Sequence, residues 1–282
     1  MRNVLVVGAA GGIGLEVARQ LVACGHHVVG TVLDQAQADQ LRAEVPGVAG
    51  VEVLELSDAA RVAADAGRIA SVMGTVDQVA VCAAVGPIGP AELTPLETYA
   101  RAMDVNFLSN VAIFQACLPA LRHSRGRLLL VSSMSGKVAL PFIAAYTASK
   151  HALEGWADVV RQEVAGDGVE VILVEPGGVR TGMVSAQIAL AKQLLEGLTE
   201  EQAARYGALY HGFIAAAQAG YDGAGSTPGQ VAAIIVDALA TEKPETRYVA
   251  GPDAQQLIGA RAALSDRDMD ATMAAFFGGA AG

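Results

Sequence analysis

The chain has 282 residues, 52% hydrophobic and 17% charged, enough apolar side chain for one large core near the upper end of single-domain size. A formal net charge of −10 offers no basic field to a phosphate backbone or an anionic lipid surface, which excludes nucleic acid as a partner. The three cysteines, Cys24, Cys82 and Cys117, stand singly in apolar runs without CxxC spacing; they read as small hydrophobes in a reducing compartment, and a cytoplasmic protein is expected.

The opening MRNVLVVGAAGGIG has the charge and apolarity of a secretion signal. Its glycine-rich continuation into an amphipathic segment predicts a buried strand and a turn instead. No uninterrupted apolar run is long enough for a membrane span. Strands are predicted at residues 3–8, 27–33, 51–56, 78–84, 126–133, 169–176 and 247–251. Helix-period apolar residues occupy 12–24, 35–44, 58–73, 92–123 and 143–166. The strands are apolar almost throughout rather than alternating, as parallel strands covered on both faces should be. This alternation predicts one α/β unit over 1–282, a doubly wound, Rossmann-like parallel sheet of about seven strands with helices on both faces.

Gly8, Gly12 and Gly14 form GxxxGxG directly after the first strand, where the first helix begins. Glycine lets backbone approach a pyrophosphate, and the free N–H groups of a helix N-terminus favour its charge. At the end of the second strand stands GTVLD. Leu33 offers nothing to a 2′-phosphate, Asp34 could bond ribose hydroxyls or simply cap the next helix, and Ala10 and Gly11 supply no side-chain donor. The position tilts to NAD(H) within NAD(P).

Further on, AAYTASK places Tyr146 and Lys150 four residues apart at the start of a long apolar-periodic helix, although the chain has only four lysines. Residues i and i+4 share one helix face. An ammonium there would lower the phenol pKa and make Tyr146 a proton donor or acceptor. A surface Tyr–Lys pair has the same spacing. Residues 181–227 then break the strand–helix rhythm with Met183, Tyr206, Tyr210, Phe213 and Tyr221. They read either as a peripheral helical pair or as a helical insertion covering the substrate over an apolar pocket, with Pro141, Phe142 and Val184 nearby. Residues 252–277 form a C-terminal helical extension that joins an oligomer interface or caps the pocket. The long helices 92–123 and 143–166, apolar on more than one face, predict a homodimer or homotetramer. SSMSGKV fails the phosphate-loop pattern, HExxH and GxSxG are missing, and the five histidines lack ligand spacing, so no metal site is expected.

Five motifs in order, GxxxGxG, MDVNFLSN, LLLVSSMSG, YTASK and EPGGVRT, resemble the short-chain dehydrogenase/reductase family over roughly residues 3–181. The wording GPIGPAEL, YTASKHALEG and KPETRY is most similar to its 17β-hydroxysteroid and retinol dehydrogenase branch. The resemblance implies that Tyr146 exchanges a proton with the substrate oxygen and that Lys150 holds the nicotinamide ribose. Ser133 would hydrogen-bond the substrate oxygen, with Ser132 and Ser135 as bystanders. Asn106 would kink its helix and hold a water of the proton relay. Gly8, Gly12, Ile13 and Gly14 would cradle the dinucleotide, with Leu33 and Asp34 at its ribose and Glu55 and Leu56 at its adenine. Ala83 would adjoin the cofactor, and Pro176, Gly177 and Thr181 would pack beside the nicotinamide.

Two places depart from the pattern. Val81-Cys82-Ala83-Ala84 replaces the usual Asn-Asn-Ala-Gly, and Val7 replaces the usual Thr before the first glycine. The implied function is NAD(P)-dependent interconversion of a secondary alcohol and a ketone on a lipophilic small molecule, steroid-, retinoid- or polyketide-like. The alternatives are a catalytically weak dinucleotide-binding scaffold or sensor, and lyase or epimerase chemistry on the same fold.

Overall fold

β1 (Asn3–Val7), β2 (His27–Val32), β3 (Gly50–Val53), β4 (Gln78–Val81), β5 (Arg127–Val131), β6 (Glu170–Pro176) and β7 (Arg247–Ala250) form one sheet in the computed structural model of the chain, which describes residues 1–278. The strand order is β3-β2-β1-β4-β5-β6-β7, and every pairing is parallel. This is the doubly wound α/β sheet that the alternating pattern predicts.

β1, an interior strand of the sheet, shows why the runs are apolar without alternation. Val4, Leu5, Val6 and Val7 have no exposed surface, yet successive side chains enter opposite cores. Leu5 and Val7 pack with α3 (Ala59–Met73), α5 (Ser109–Ser124) and α6 (Ala144–Val164). Val4 and Val6 pack with α1 (Gly12–Ala23), α2 (Gln35–Glu44) and α9 (Pro228–Ala240). A third cluster lies beyond the strand ends and gathers Phe142, Tyr210, Phe213, Met273 and Phe277. It joins α6's N-terminal approach to α8 (Glu200–Ala219) and α11 (Asp266–Phe277), with α7 (Gly182–Glu196) and α10 (Pro252–Ala263) alongside.

Several elements differ from the sequence expectation, among them β4, which ends at Val81 rather than at 84. β3 ends at Val53, three residues early, because β2, its partner, ends at Val32. The helix expected over 92–123 starts only at α4 (Leu96–Met103) and passes through a wide π-type turn, Asp104–Leu108, into α5. α9 carries no periodic signal: VAAIIVDALA is apolar at too many successive positions to show a period. Its start is nevertheless marked by Pro228 and a Thr227–Gln230 capping box.

β1 lies between β2 and β4, so the chain crosses in opposite directions on its two sides. The crevice this leaves at the carboxyl ends of the strands is where open α/β sheets take ligands.

Candidate active site

A cleft of about 940 Å³ runs across that crevice. It extends from Leu33 and Gln37 beyond β2, over the glycine turn, past Ser133, Tyr146 and Lys150, to Met183, Phe213 and Phe277. Of the residues predicted for the site, all line this one cleft except Asp34 and Asn106.

The turn after β1 is built on steric need. Gly8 has φ +79, a region costly for side chains, and a Cβ there would come 2.7 Å from that of Ala83. A Cβ on Gly14 would strike the Gly8 carbonyl oxygen, and one on Gly12 would approach Thr181 to 2.9 Å. Thr31 of β2 ties the turn down: its carbonyl accepts from Gly8 N (3.1 Å) and Ala9 N (2.8 Å), and its hydroxyl accepts from Gly8 N (3.3 Å). The start of α1 has Gly11 as N-cap with no side-chain cap and no acidic residue in the first turn. Its leading N–H groups at Gly12, Ile13 and Gly14 therefore face the cleft as an anion cradle. The pyrophosphate of a dinucleotide fits it.

At the far end the structure corrects one expectation. The Asp34 carboxylate accepts from Gln37 N at 2.9 Å as N-cap of α2 and does not reach the cleft. Leu33, 54% exposed, does reach it, and its N–H donates to the Gln37 side chain at 3.0 Å. Gln37 and Gln40, both missed from sequence, line the cleft beside it. Glu55 also lines it, with its carboxylate accepting from Ser57 N (2.9 Å) and Ser57 Oγ (2.6 Å).

Asn106 sits fully buried in the wide turn, and its side chain is spent on structure rather than on the cleft. Its Oδ1 accepts from Val85 N (2.8 Å), while its Nδ2 donates to Val85 O (2.8 Å) and Ser149 Oγ (3.0 Å). The widened turn frees carbonyls, which nearby side chains satisfy: Ser109 Oγ donates to Val105 O (2.6 Å) and Asn110 Nδ2 to Asn106 O (3.0 Å). Asn106 thereby holds the loop after β4, where Cys82 stands in place of the second usual Asn and Ala84 in place of the usual Gly. The loop's Ala83 is the residue packed on Gly8.

Ser133 N-caps a 3₁₀ turn, Met134–Gly136, at the end of β5. Its hydroxyl meets the Tyr146 phenol, and this hydrogen bond pulls the phenol pKa down. Burial pushes it up by more, so Tyr146 lies above the ordinary value, contrary to the lysine-lowered phenol expected from the spacing. The geometry explains the difference. Lys150 Nζ lies 5.7 Å from the Tyr146 ring centroid but donates to Val131 O at 2.8 Å, and it is 1% exposed. Burial lowers the Lys150 pKa to about 8, opposed by the charge of Glu154.

The start of α6 is fixed by Phe142, which adopts φ +67, a costly conformation for a bulky residue. It is held by a stack on Tyr210 (ring centroids 4.0 Å apart), edge contacts with Tyr206 and Phe213, and a hydrogen bond from Gly89 N to its carbonyl (2.7 Å). On the other wall, Asp253 of α10 accepts from Gly178 N at 2.6 Å and holds the Pro176–Gly178 segment. A Cβ on Gly177 would collide with that carboxylate. Gln187 of α7 donates to Gly86 O at 2.7 Å and so ties α7 to the loop after β4 across the cleft. Neither contact had a sequence signal, because the partners lie 75 and 101 residues apart.

Residues 2–190 match the short chain dehydrogenase family. The chain belongs to the short-chain dehydrogenase/reductase family. This short-chain dehydrogenase/reductase is 24% identical to a 3-amino-tetrahydro-pyrrolizinone reductase of Xenorhabdus hominickii over 277 residues, which cover 95% of the chain and 93% of that enzyme. It is 30% identical to a 17-beta-hydroxysteroid dehydrogenase type 6 of Bos taurus over 261 residues, 89% of the chain and 81% of that enzyme. The crystal structure of a short-chain dehydrogenase from Streptomyces avermitilis superposes with a TM-score of 0.75 at 25% identity, covering 96% of this chain and 97% of that one. The family is one of NAD(P)-dependent oxidoreductases, and this member is an enzyme whose relatives include hydroxysteroid dehydrogenases. Among the described residues no helix is long and apolar enough to cross a membrane.

Proposed function

We propose that this enzyme interconverts a ketone and a secondary alcohol on a lipophilic small molecule, with Tyr146 as the proton donor in reduction. The observation that carries the reading is the convergence of Ser133, Tyr146 and Lys150 on one cleft whose other half is the glycine cradle. Bound NAD(P)H supplies the hydride. Ser133 orients the carbonyl oxygen through its hydroxyl, and the Tyr146 O–H gives that oxygen its proton. Hydride at carbon and proton at oxygen complete the alcohol. The raised pKa keeps the phenol protonated at neutral pH, the form reduction needs. Lys150, charged below about pH 8, stabilises the tyrosinate left behind until solvent reprotonates it.

NAD(H) is the cofactor in this reading, because Leu33, Gln37 and Gln40 bring no cation to the ribose end of the cleft. The lipophilic substrate follows from Met183, Phe213, Met273 and Phe277 at the opposite end. There α7 and α8 act as a cover, and α11 closes the pocket. A homodimer or homotetramer is part of the proposal, since Leu96, Leu108 and Val159 stand exposed on packed neighbours. The free cysteines support a reducing, cytoplasmic setting. Fluorescence titration with NADH and NADPH separately, followed by a screen of lipophilic ketones for loss of reduced-nicotinamide absorbance, tests the reading. Tight NADH binding with turnover of at least one ketone supports it. Binding of neither dinucleotide overturns it.

A further inference from the structure

One turn beyond Lys150 on α6, the protein buries a set of charges that the chemistry above does not use. Glu154 is 3% exposed, and Glu175, next to Pro176 at the end of β6, is 1% exposed. Arg247 of β7 reaches both carboxylates, at 3.1 Å to Glu154 and 3.2 Å to Glu175, and also binds Asp158 at 2.7 Å. Lys137, following the Ser133 turn, pairs with Glu154 at 3.1 Å, and Arg161 pairs with Asp158 at 2.7 Å. Gly136 makes room for this cluster under the Ser133 turn: a Cβ there would come 2.7 Å from Glu154 Cγ and 3.0 Å from Ser132 Oγ.

The hydrogen bonding of the two carboxyls is incomplete. Among the described residues, Glu154 Oε1 and Glu175 Oε1 are buried without a hydrogen-bond partner, Glu175 meeting Arg247 only as an ion pair. Two adjacent buried carboxylates repel, and a proton kept on Glu175 and donated toward Glu154 relieves the repulsion and supplies a missing donor. Burial first and the neighbouring Glu154 second push the Glu175 pKa up to about 7.

We propose that Glu175 keeps a proton facing Glu154 and that the two side chains act together as a proton-responsive support that fixes the charge of Lys150. This rests on the reading of Lys150 as the cation of the site. Burial alone drives Lys150 toward the neutral amine, and Glu154, one turn away on the same helix, opposes it. Cys82 faces Lys150 from the end of β4, but burial holds its thiol neutral, up at about 12, so it adds no charge. As pH rises through neutrality Glu175 releases its proton, and the new negative charge beside Arg247, Lys137 and Asp158 helps Lys150 keep its own. Glu154 and Glu175 are thus positioning residues that touch no substrate.

With only four lysines in the chain, ¹³Cε-lysine labelling gives four signals to follow by NMR, and Lys150→Met identifies the one that matters. Glu154→Gln is expected to lower the Lys150 titration midpoint by about one pH unit, and Glu175→Gln to lower it by less. An unmoved midpoint in both variants overturns the inference. Should the variants fold poorly, the wild type decides: a protonated-carboxyl infrared band present at about pH 6 and gone at about pH 9 supports the proton on Glu175, and its absence at the lower pH refutes it. The functional reading fails separately. If Lys150→Met keeps full turnover while Glu154→Gln still moves the midpoint, the role of Lys150 in catalysis is wrong and the electrostatic support stands.

Discussion

Replacing Lys150 by methionine should make the protein more stable while removing its activity. Lys150 is 1% exposed, and burial brings its pKa from 10.5 to about 8. Through proton linkage, that fall means the charged form costs the fold roughly 3 kcal/mol. Methionine fills nearly the same volume without charge but gives up the hydrogen bond to Val131 O, worth about 1 kcal/mol. The net gain is about 2 kcal/mol, which for a chain of this size raises Tm by about 4 °C. The sign follows from the folded pKa lying below the unfolded one. The cost is fully present below about pH 8 and fades as pH rises toward 10.5, so the advantage of the variant should shrink over that window. Thermal melts of both proteins from neutral to alkaline pH measure this directly. A variant less stable than wild type at neutral pH, or a gap that does not close with rising pH, would refute the assignment of Lys150 as a charge held at a cost.

Other perturbations test separate parts of the account. Leu33→Arg should strengthen NADPH binding about tenfold in fluorescence titration, since a cation would then stand at the ribose end; unchanged affinity would show that Leu33 does not face that group. Tyr210→Phe should stabilise the protein by about 1 kcal/mol in urea unfolding, because the Tyr210 hydroxyl is fully buried without a partner among the described residues. Phe142→Ala should cost about 3 kcal/mol and lower kcat while sparing dinucleotide affinity, because the aromatic stack fixes the start of α6 and with it Tyr146. The kcat for ketone reduction should fall as pH rises past about 8, where Lys150 loses its proton; a flat profile to higher pH would contradict its role.

The fold and the ends of the site were readable in sequence for different reasons. Strand runs such as NVLVVG are apolar because both faces of the sheet are covered, and the structure divides their side chains between two cores. The glycines at 8 and 14 are legible because the first is forced by a left-handed backbone turn and the second by a contact within a few residues of chain, whereas Gly12 is held by Thr181, far along the chain, and is legible only through the pattern it completes. Asp34 shows the opposite case. An acidic residue after β2 has two local uses, and the adjacent Gln37 N–H of α2 captured it. The spacing of Tyr146 and Lys150 correctly put them on one helix face, yet spacing carries no information about Val131 O, the acceptor that draws the ammonium, or about the burial that raises the phenol. The wide turn at Asn106 and the Gln187 and Asp253 contacts depend on partners from 21 to 101 residues away, which no local pattern encodes.

The most direct test is Tyr146→Phe, assayed for NADH binding and for single-turnover reduction of a ketone found to be a substrate. The account predicts a dinucleotide affinity close to that of wild type and turnover reduced by at least about a thousandfold. Near-normal turnover with the hydroxyl removed would contradict it.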